Sequence, residues 1–137
     1  ENYMTSIEGV FAAGNGLNVH DLADYAAHQG GKAGEGAARY IKNGKMKEGT
    51  VRTVAGENVG YVVPGVLHTA SLPPVIEFYF RVRKPLKASD VIVRSGEKVI
   101  RTIAKDHLIP SEMENVILAG KQLDGLQEDL VIEVKEK

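Results

Sequence analysis

Ile76-Glu77-Phe78-Tyr79-Phe80-Arg81-Val82 alternates with a period of two, so Ile76, Phe78, Phe80 and Val82 share one face and Glu77, Tyr79 and Arg81 the other. A helix would spread those four apolar side chains around its axis, whereas a strand lines them up against a core. Outward from this run the same grammar repeats in both directions. Short Val- and Ile-containing segments predict further strands over 51–54, 59–63, 91–94, 98–103, 115–118 and 130–134, bounded by Gly, Pro, Ser and Asp. Pro64, Pro73-Pro74, Pro85 and Pro110 fall between the runs, where a missing N–H interrupts no ladder. Ser95-Gly96-Glu97 reads as a tight hairpin turn. Seven short strands at this spacing predict a mainly β unit over 50–137, an immunoglobulin-like antiparallel β-sandwich. Its expected core is Phe78, Phe80, Val91, Val93, Val116, Leu118, Leu130 and Ile132. Tyr79 falls on the opposite face and is expected at the surface or an interface. Arg81, Arg83 and Lys84 read as a solvated strand end, where like charges blunt edge pairing.

The front of the chain has a different composition. Gly9-Val10-Phe11-Ala12-Ala13-Gly14 is apolar without alternation, as expected of a strand buried on both faces of a parallel sheet. Gly14-Asn15-Gly16 breaks it. A helix is predicted over 19–41, with Asn18 as its N-cap, Asp21 favouring the positive end of the dipole, and Leu22, Ala26, Ala33, Ala37 and Ile41 as its apolar stripe. Gly30, Gly31, Gly34 and Gly36 each cost a helix about 1 kcal/mol relative to alanine, which makes sense where another backbone packs closely. Strand, glycine turn and helix together would present N–H groups to an anion or polar cofactor. Gly44-Lys45-Met46-Lys47-Glu48-Gly49 reads as a linker, dividing a strand–turn–helix segment at 1–44 from the β-domain at 50–137. The opening Glu1-Asn2-Tyr3, with Met4 running straight into the first strand, is expected of a piece of a longer protein.

The 137 residues carry a net charge of -1, which argues against a nucleic-acid partner or an anionic membrane surface, both of which attract a basic face. No apolar run approaches the roughly 18–20 residues that cross a bilayer. The absence of cysteine excludes a disulfide framework, a thiolate metal site and a thiol nucleophile, and fits a cytoplasmic protein.

Candidate chemistry is sparse. His20, His28, His68 and His107 show no helical i,i+3 or i,i+4 pairing that a carboxylate could complete, so no metal site is expected. Asp21 and Asp24 are explained by the helix start more simply than by acid–base work. Ser71 and Ser111 have no base beside them. The catalytic residues are therefore not identified. His20 is the one histidine placed to touch a ligand; packing or solvent exposure explains it equally well.

One resemblance sharpens this reading. Thr5-Ser6-Ile7-Glu8-Gly9-Val10-Phe11-Ala12-Ala13-Gly14-Asn15, followed by Asp21-Leu22-Ala23-Asp24-Tyr25-Ala26-Ala27-His28-Gln29-Gly30 and Ala33-Gly34, resembles the second FAD fingerprint of pyridine-nucleotide-disulfide oxidoreductases. There a Thr-led strand ends in Gly-Asp and the next helix carries Ala-x-x-x-Gly-x-x-Ala. The resemblance implies that Gly14 lets the backbone approach the ribityl chain of FAD, that Asn15 hydrogen-bonds a ribityl hydroxyl, and that the amides of Asn18, Val19 and His20 face the flavin. Asn15 stands where the wider family has Asp, which keeps an acceptor but removes its charge. The Gly-Asn and the following Val-His-Asp-Leu are similar to a subgroup related to anaerobic glycerol-phosphate metabolism. The stretch from Tyr79-Phe80-Arg81-Val82-Arg83 to Ile109-Pro110-Ser111-Glu112-Met113-Glu114 is similar to that subgroup's C-terminal domain, implying a packing or partner role there. The resemblance implies a parent enzyme that passes electrons between NAD(P)H and an acceptor through FAD. The chain lacks Gly-x-Gly-x-x-Gly, so the remaining FAD and NAD(P) domains would lie upstream, as partners of this piece. Alone, the piece is expected to be inactive, to lack FAD, and to self-associate through residues 1–44. The alternative is a non-enzymatic immunoglobulin-like binding module with an N-terminal docking helix.

Overall fold

Eight strands follow the sequence pattern closely: β1 (Thr50–Ala55), β2 (Val59–Val63), β3 (Val66–His68), β4 (Val75–Val82), β5 (Ser89–Ser95), β6 (Lys98–Lys105), β7 (Glu114–Ala119) and β8 (Leu130–Glu136). They are seen in a computed structural model that describes residues 3–44 and 49–137. By its internal contacts the chain divides into two units, Glu1–Glu48 and Gly49–Lys137. Glu1-Asn2 and the centre of the expected linker, Lys45-Met46-Lys47-Glu48, lie outside the described residues. Only β3 was not anticipated: three residues are too few to display an alternation.

The β unit is built from a five-stranded sheet, ordered β3-β1-β8-β5-β6, and a three-stranded sheet, ordered β2-β4-β7. Inward-facing side chains from both sheets make one core, and all eight residues expected there are buried. Phe78 lies opposite Val116 and Phe80 opposite Val62, while Val91 and Val93 pair with Val134 and Ile132 across the β5–β8 ladder. Burying a side chain of this size contributes about 1.5–3 kcal/mol, which explains why the alternation dominates the fold. At one open side, β6 sends Arg101 to the carbonyl of Ile117 at 3.0 Å and Lys105 to the carboxylate of Glu114 at 2.6 Å, joining the edges of the two sheets. The turn Gly96-Glu97 links β5 to β6, with Ser95 opposite Lys98.

Two expectations for this unit need correction. The arrangement is not wholly antiparallel. Thr50–Arg52 pair antiparallel with β3, and Thr53–Ala55 then run parallel to Leu130–Ile132 of β8. Local patterning cannot reveal this, because parallel and antiparallel partners demand the same alternation when one face is buried. Nor does Tyr79 lie at the surface, and Arg81 is half-buried, while Arg83 and Lys84 are exposed at the strand end as expected. Tyr79 is 2% exposed, and its hydroxyl donates to Glu77 Oε2 at 2.5 Å. Arg81 donates to the Tyr61 hydroxyl and the Pro110 carbonyl, and Arg83 to the Val59 carbonyl.

The front unit differs more from expectation. Residues 9–14 form no parallel-sheet strand. Instead Tyr3 to Ala12 fold as a small hairpin: Met4 bridges Phe11, Thr5 N–H donates to the Val10 carbonyl, and Ala12 N–H donates to the Tyr3 carbonyl. Helix α1 (Ala23–Asn43) holds this hairpin through Tyr40. The Tyr40 ring meets Phe11 edge-on at 6.2 Å, lies against Gly9, and donates its hydroxyl to Glu8 at 2.8 Å. The helix begins four residues later than expected. Leu22, not Asn18, occupies the N-cap and supplies no side-chain cap. The expected stripe is only half right: Ala33 is buried and Ala26 and Ala37 are partly so, but Leu22 is 58% exposed and Ile41 82%. Gly30, Gly31 and Gly34 are exposed, with nothing within 4 Å of where a Cβ would stand, so no backbone among the described residues approaches them. No described helix is long and apolar enough to cross a membrane.

Candidate functional site

The five residues assigned to the flavin lie in the connection between the hairpin and α1. Gly14–Gly16 form one 3-10 turn, with Leu17 N–H and Asn18 N–H both donating to the Gly14 carbonyl. Gly14 takes φ +66°, a left-handed conformation that glycine adopts without steric cost, and the space where a Cβ would project is open. Asn15 is exposed, and its Oδ1 accepts the N–H of His20, five positions on, at 3.1 Å. Val19 is exposed and Asn18 is buried.

A residue the sequence reading passed over organises this loop. Gln29, on the first half of α1, is fully buried. Its Oε1 lies 2.6 Å from the Gly14 amide nitrogen and 2.9 Å from His20 Nε2, and its Nε2 lies 2.9 Å from Asn18 Oδ1. The orientation of every group follows from one fact: a backbone amide can only donate. The atom facing Gly14 N–H must therefore be the carboxamide oxygen. That oxygen cannot donate, so His20 Nε2 carries a proton and donates. The Gln29 nitrogen then faces Asn18, whose near atom must be its oxygen. One buried amide thus fixes a side-chain flip, the proton on His20 Nε2 and a second side-chain flip.

This geometry changes the expected division of labour. The Asn18 carboxamide is drawn onto Gln29, which explains why it does not cap the helix. The His20 amide is occupied by Asn15, so it is not a spare N–H at a helix N-terminus. Gly14 offers close approach, not a donor, because its amide is held by Gln29. Asn15 keeps a second lone pair and its amino group for an outside hydroxyl. The loop thus presents open space at Gly14, the exposed carboxamide of Asn15 and the exposed apolar side chain of Val19, while its backbone donors at Gly14 and His20 are occupied. Gln29 could have been found from spacing. Ala26, Gln29, Ala33, Ala37 and Tyr40 follow steps of three and four, so the buried face keeps Ala26, Ala33 and Ala37 of the expected stripe, adds Gln29, and ends on Tyr40 instead of Ile41.

Among the described residues no three His, Asp or Glu side chains stand together as a metal-ligand set. No family model, curated protein or solved structure matches this chain.

Proposed function

We propose that this chain is the C-terminal part of a flavoprotein oxidoreductase that moves electrons between NAD(P)H and an acceptor through FAD. Gly14, Asn15, Asn18, Val19 and His20 form its contribution to the flavin site. The observation that carries the reading is the run Thr5 to Asn15, ending at a left-handed Gly14 beside open space and followed by an Ala/Gly-rich helix. When bound, FAD supplies the redox chemistry. The chain's own residues bind and orient it: the Gly14 backbone permits contact, Asn15 offers its carboxamide to a ribityl hydroxyl, and Val19 lends apolar surface. The two-sheet unit is read as an immunoglobulin-like C-terminal domain with a packing role, and the absence of cysteine fits a cytoplasmic setting.

The test is to purify the full-length protein encoded by the gene and record its visible absorption. Bound oxidised flavin is expected, and Asn15→Leu should lower its retention without loss of the fold, because one polar contact to a buried ligand is removed. A full-length wild type without affinity for FAD would overturn the reading. The rival is a non-enzymatic immunoglobulin-like binding module, favoured by a β unit whose core is drawn from its own strands. The two separate on the residues encoded before Glu1: a nucleotide-binding βαβ unit supports the flavoprotein, and a second unrelated β-sandwich supports the module.

A further inference from the structure

We infer that Gln29 is the positioning residue of this site, an inference that rests on the flavoprotein reading above. Three of the five assigned residues, Gly14, Asn18 and His20, bind the single carboxamide of Gln29. Asn15 completes the set by accepting the His20 amide. The bonds therefore form a closed ring: Gly14 N–H to Gln29 Oε1, Gln29 Oε1 to the His20 imidazole, His20 N–H to Asn15 Oδ1, and Asn15 back to Gly14 through the peptide bond. Every corner is fixed by another, and the anchor is a helix, the most rigid element near the loop.

The chemistry of position 29 is not explained by packing. A methionine of nearly the same length would fill the same buried space without the cost of burying an amide. A fully buried carboxamide is tolerable only when its oxygen and nitrogen are both hydrogen-bonded, and here the oxygen accepts two bonds and the nitrogen donates one. What this bonded amide secures is the direction of the loop. It turns the Gly14 amide inward, so that the backbone meets a ligand with its bare Cα. It also holds the His20 ring with its Nε2–H toward Gln29 and leaves the Asn15 carboxamide at the surface. The loop is thus arranged before FAD arrives, which lowers the ordering cost of binding.

The test compares wild type, Gln29→Met and Gln29→Glu. In the full-length protein, FAD affinity is measured by flavin fluorescence. In the 137-residue chain, NMR follows exchange of the Gly14 amide and the His20 ring Nε2–H proton. Gln29→Met should raise the FAD dissociation constant about tenfold or more, speed Gly14 exchange and abolish the His20 ring signal. Amides of the β unit should not change. Gln29→Glu keeps an acceptor oxygen for Gly14 and His20 and, with the Asn18 carboxamide turned over to donate its amino group, should retain the Gly14 and His20 signals and restore the affinity to within about threefold of wild type. If Gln29→Met does not fold, Gln29→Glu decides: a folded protein with both signals but FAD affinity lowered as much as about tenfold would overturn the assignment. So would a Gln29→Met protein with altered signals and unaltered FAD affinity. Failure of the flavoprotein reading is seen separately, as absent FAD binding in the wild type.

Discussion

Glu133 is a buried carboxylate, and replacing it with glutamine gives the sharpest test of how the β unit is held. It lies on the outer face of β8, opposite Ile92 of β5. Its side chain is 7% exposed, with Arg94 Nη2 3.2 Å from Oε2 and Lys135 Nζ 3.2 Å from Oε1. The Arg94 hydrogen bond is the main cause that lowers the Glu133 pKa; burial opposes it, and Lys135 adds to the lowering. Two unit charges about 4 Å apart attract by about 4 kcal/mol at an effective dielectric constant of 20. Desolvating the carboxylate offsets much of that. Lys135, 54% exposed, adds little, and Arg94, 35% exposed, is partly screened. The net contribution at neutral pH is therefore about 1–2 kcal/mol, and Glu133→Gln should lower the melting temperature by roughly 4–8 °C per kcal/mol for a unit of this size. The sign with pH is fixed. Because the folded pKa lies below the ordinary 4.5, the contribution is fully present above that value and is lost as pH falls through the lowered folded value. Far-UV circular dichroism melts and urea titrations of both proteins, from neutral pH down into the acid range, measure the difference. The gap between wild type and Gln should narrow toward acid. A variant as stable as wild type at neutral pH, or a gap that does not change with pH, would refute the assignment of stability to this ion pair.

Two further substitutions probe the same unit. Thr53 faces inward from β1 with its hydroxyl buried and making no hydrogen bond among the described residues, so Thr53→Val should stabilise the protein by about 1 kcal/mol in urea titration; a loss of that size would show that the hydroxyl is satisfied. Gly120 follows β7, and a Cβ there would collide with the Pro73 carbonyl oxygen, a backbone atom held by the loop that brings Pro74 O within 2.9 Å of Gly120 N. Gly120→Ala should therefore cost about 3 kcal/mol or more, read from the denaturant midpoint; a cost under about 1 kcal/mol would mean that the Pro73 segment moves freely.

The β unit was legible because burial on one face writes itself into the sequence at every second residue. Ile76, Phe78, Phe80 and Val82 could have been assigned to a core with no knowledge of what covered them. What alternation omits is the identity of the neighbour. The parallel pairing of β1 with β8 joins residues about 77 positions apart, and nothing local to Thr53 or Leu130 encodes it. Tyr79 misled for a related reason: a polar residue on the outward face reads as exposed, yet the hydroxyl can be buried once Glu77, two residues away on the same face, accepts its proton.

The front unit was illegible in its geometry. Asn18 has the chemistry of an N-cap and the right place before an Ala-rich run, so propensity alone assigns it that role. The helix starts later because the Asn18 carboxamide has a competing partner eleven residues away, inside the helix it was expected to cap. Such competition is invisible until the face of the helix is known, and the face depends on Gln29 being inside. A polar residue within an Ala/Gly stripe looks like a point where the stripe lapses. Here it lies inside the buried face, because Gly14, Asn18 and His20 arrive with groups that one amide satisfies together: an N–H and an imidazole N–H for its oxygen, a carbonyl oxygen for its nitrogen. The same reasoning explains the glycines at 30, 31 and 34. They lie on the side away from Gln29, exposed and uncrowded, so their cost to the helix is not recovered by any contact among the described residues. On the flavoprotein reading, that recovery belongs to surfaces outside this chain. It would be measured as a rise in helix protection when residues 1–44 are compared between the 137-residue chain and the full-length protein.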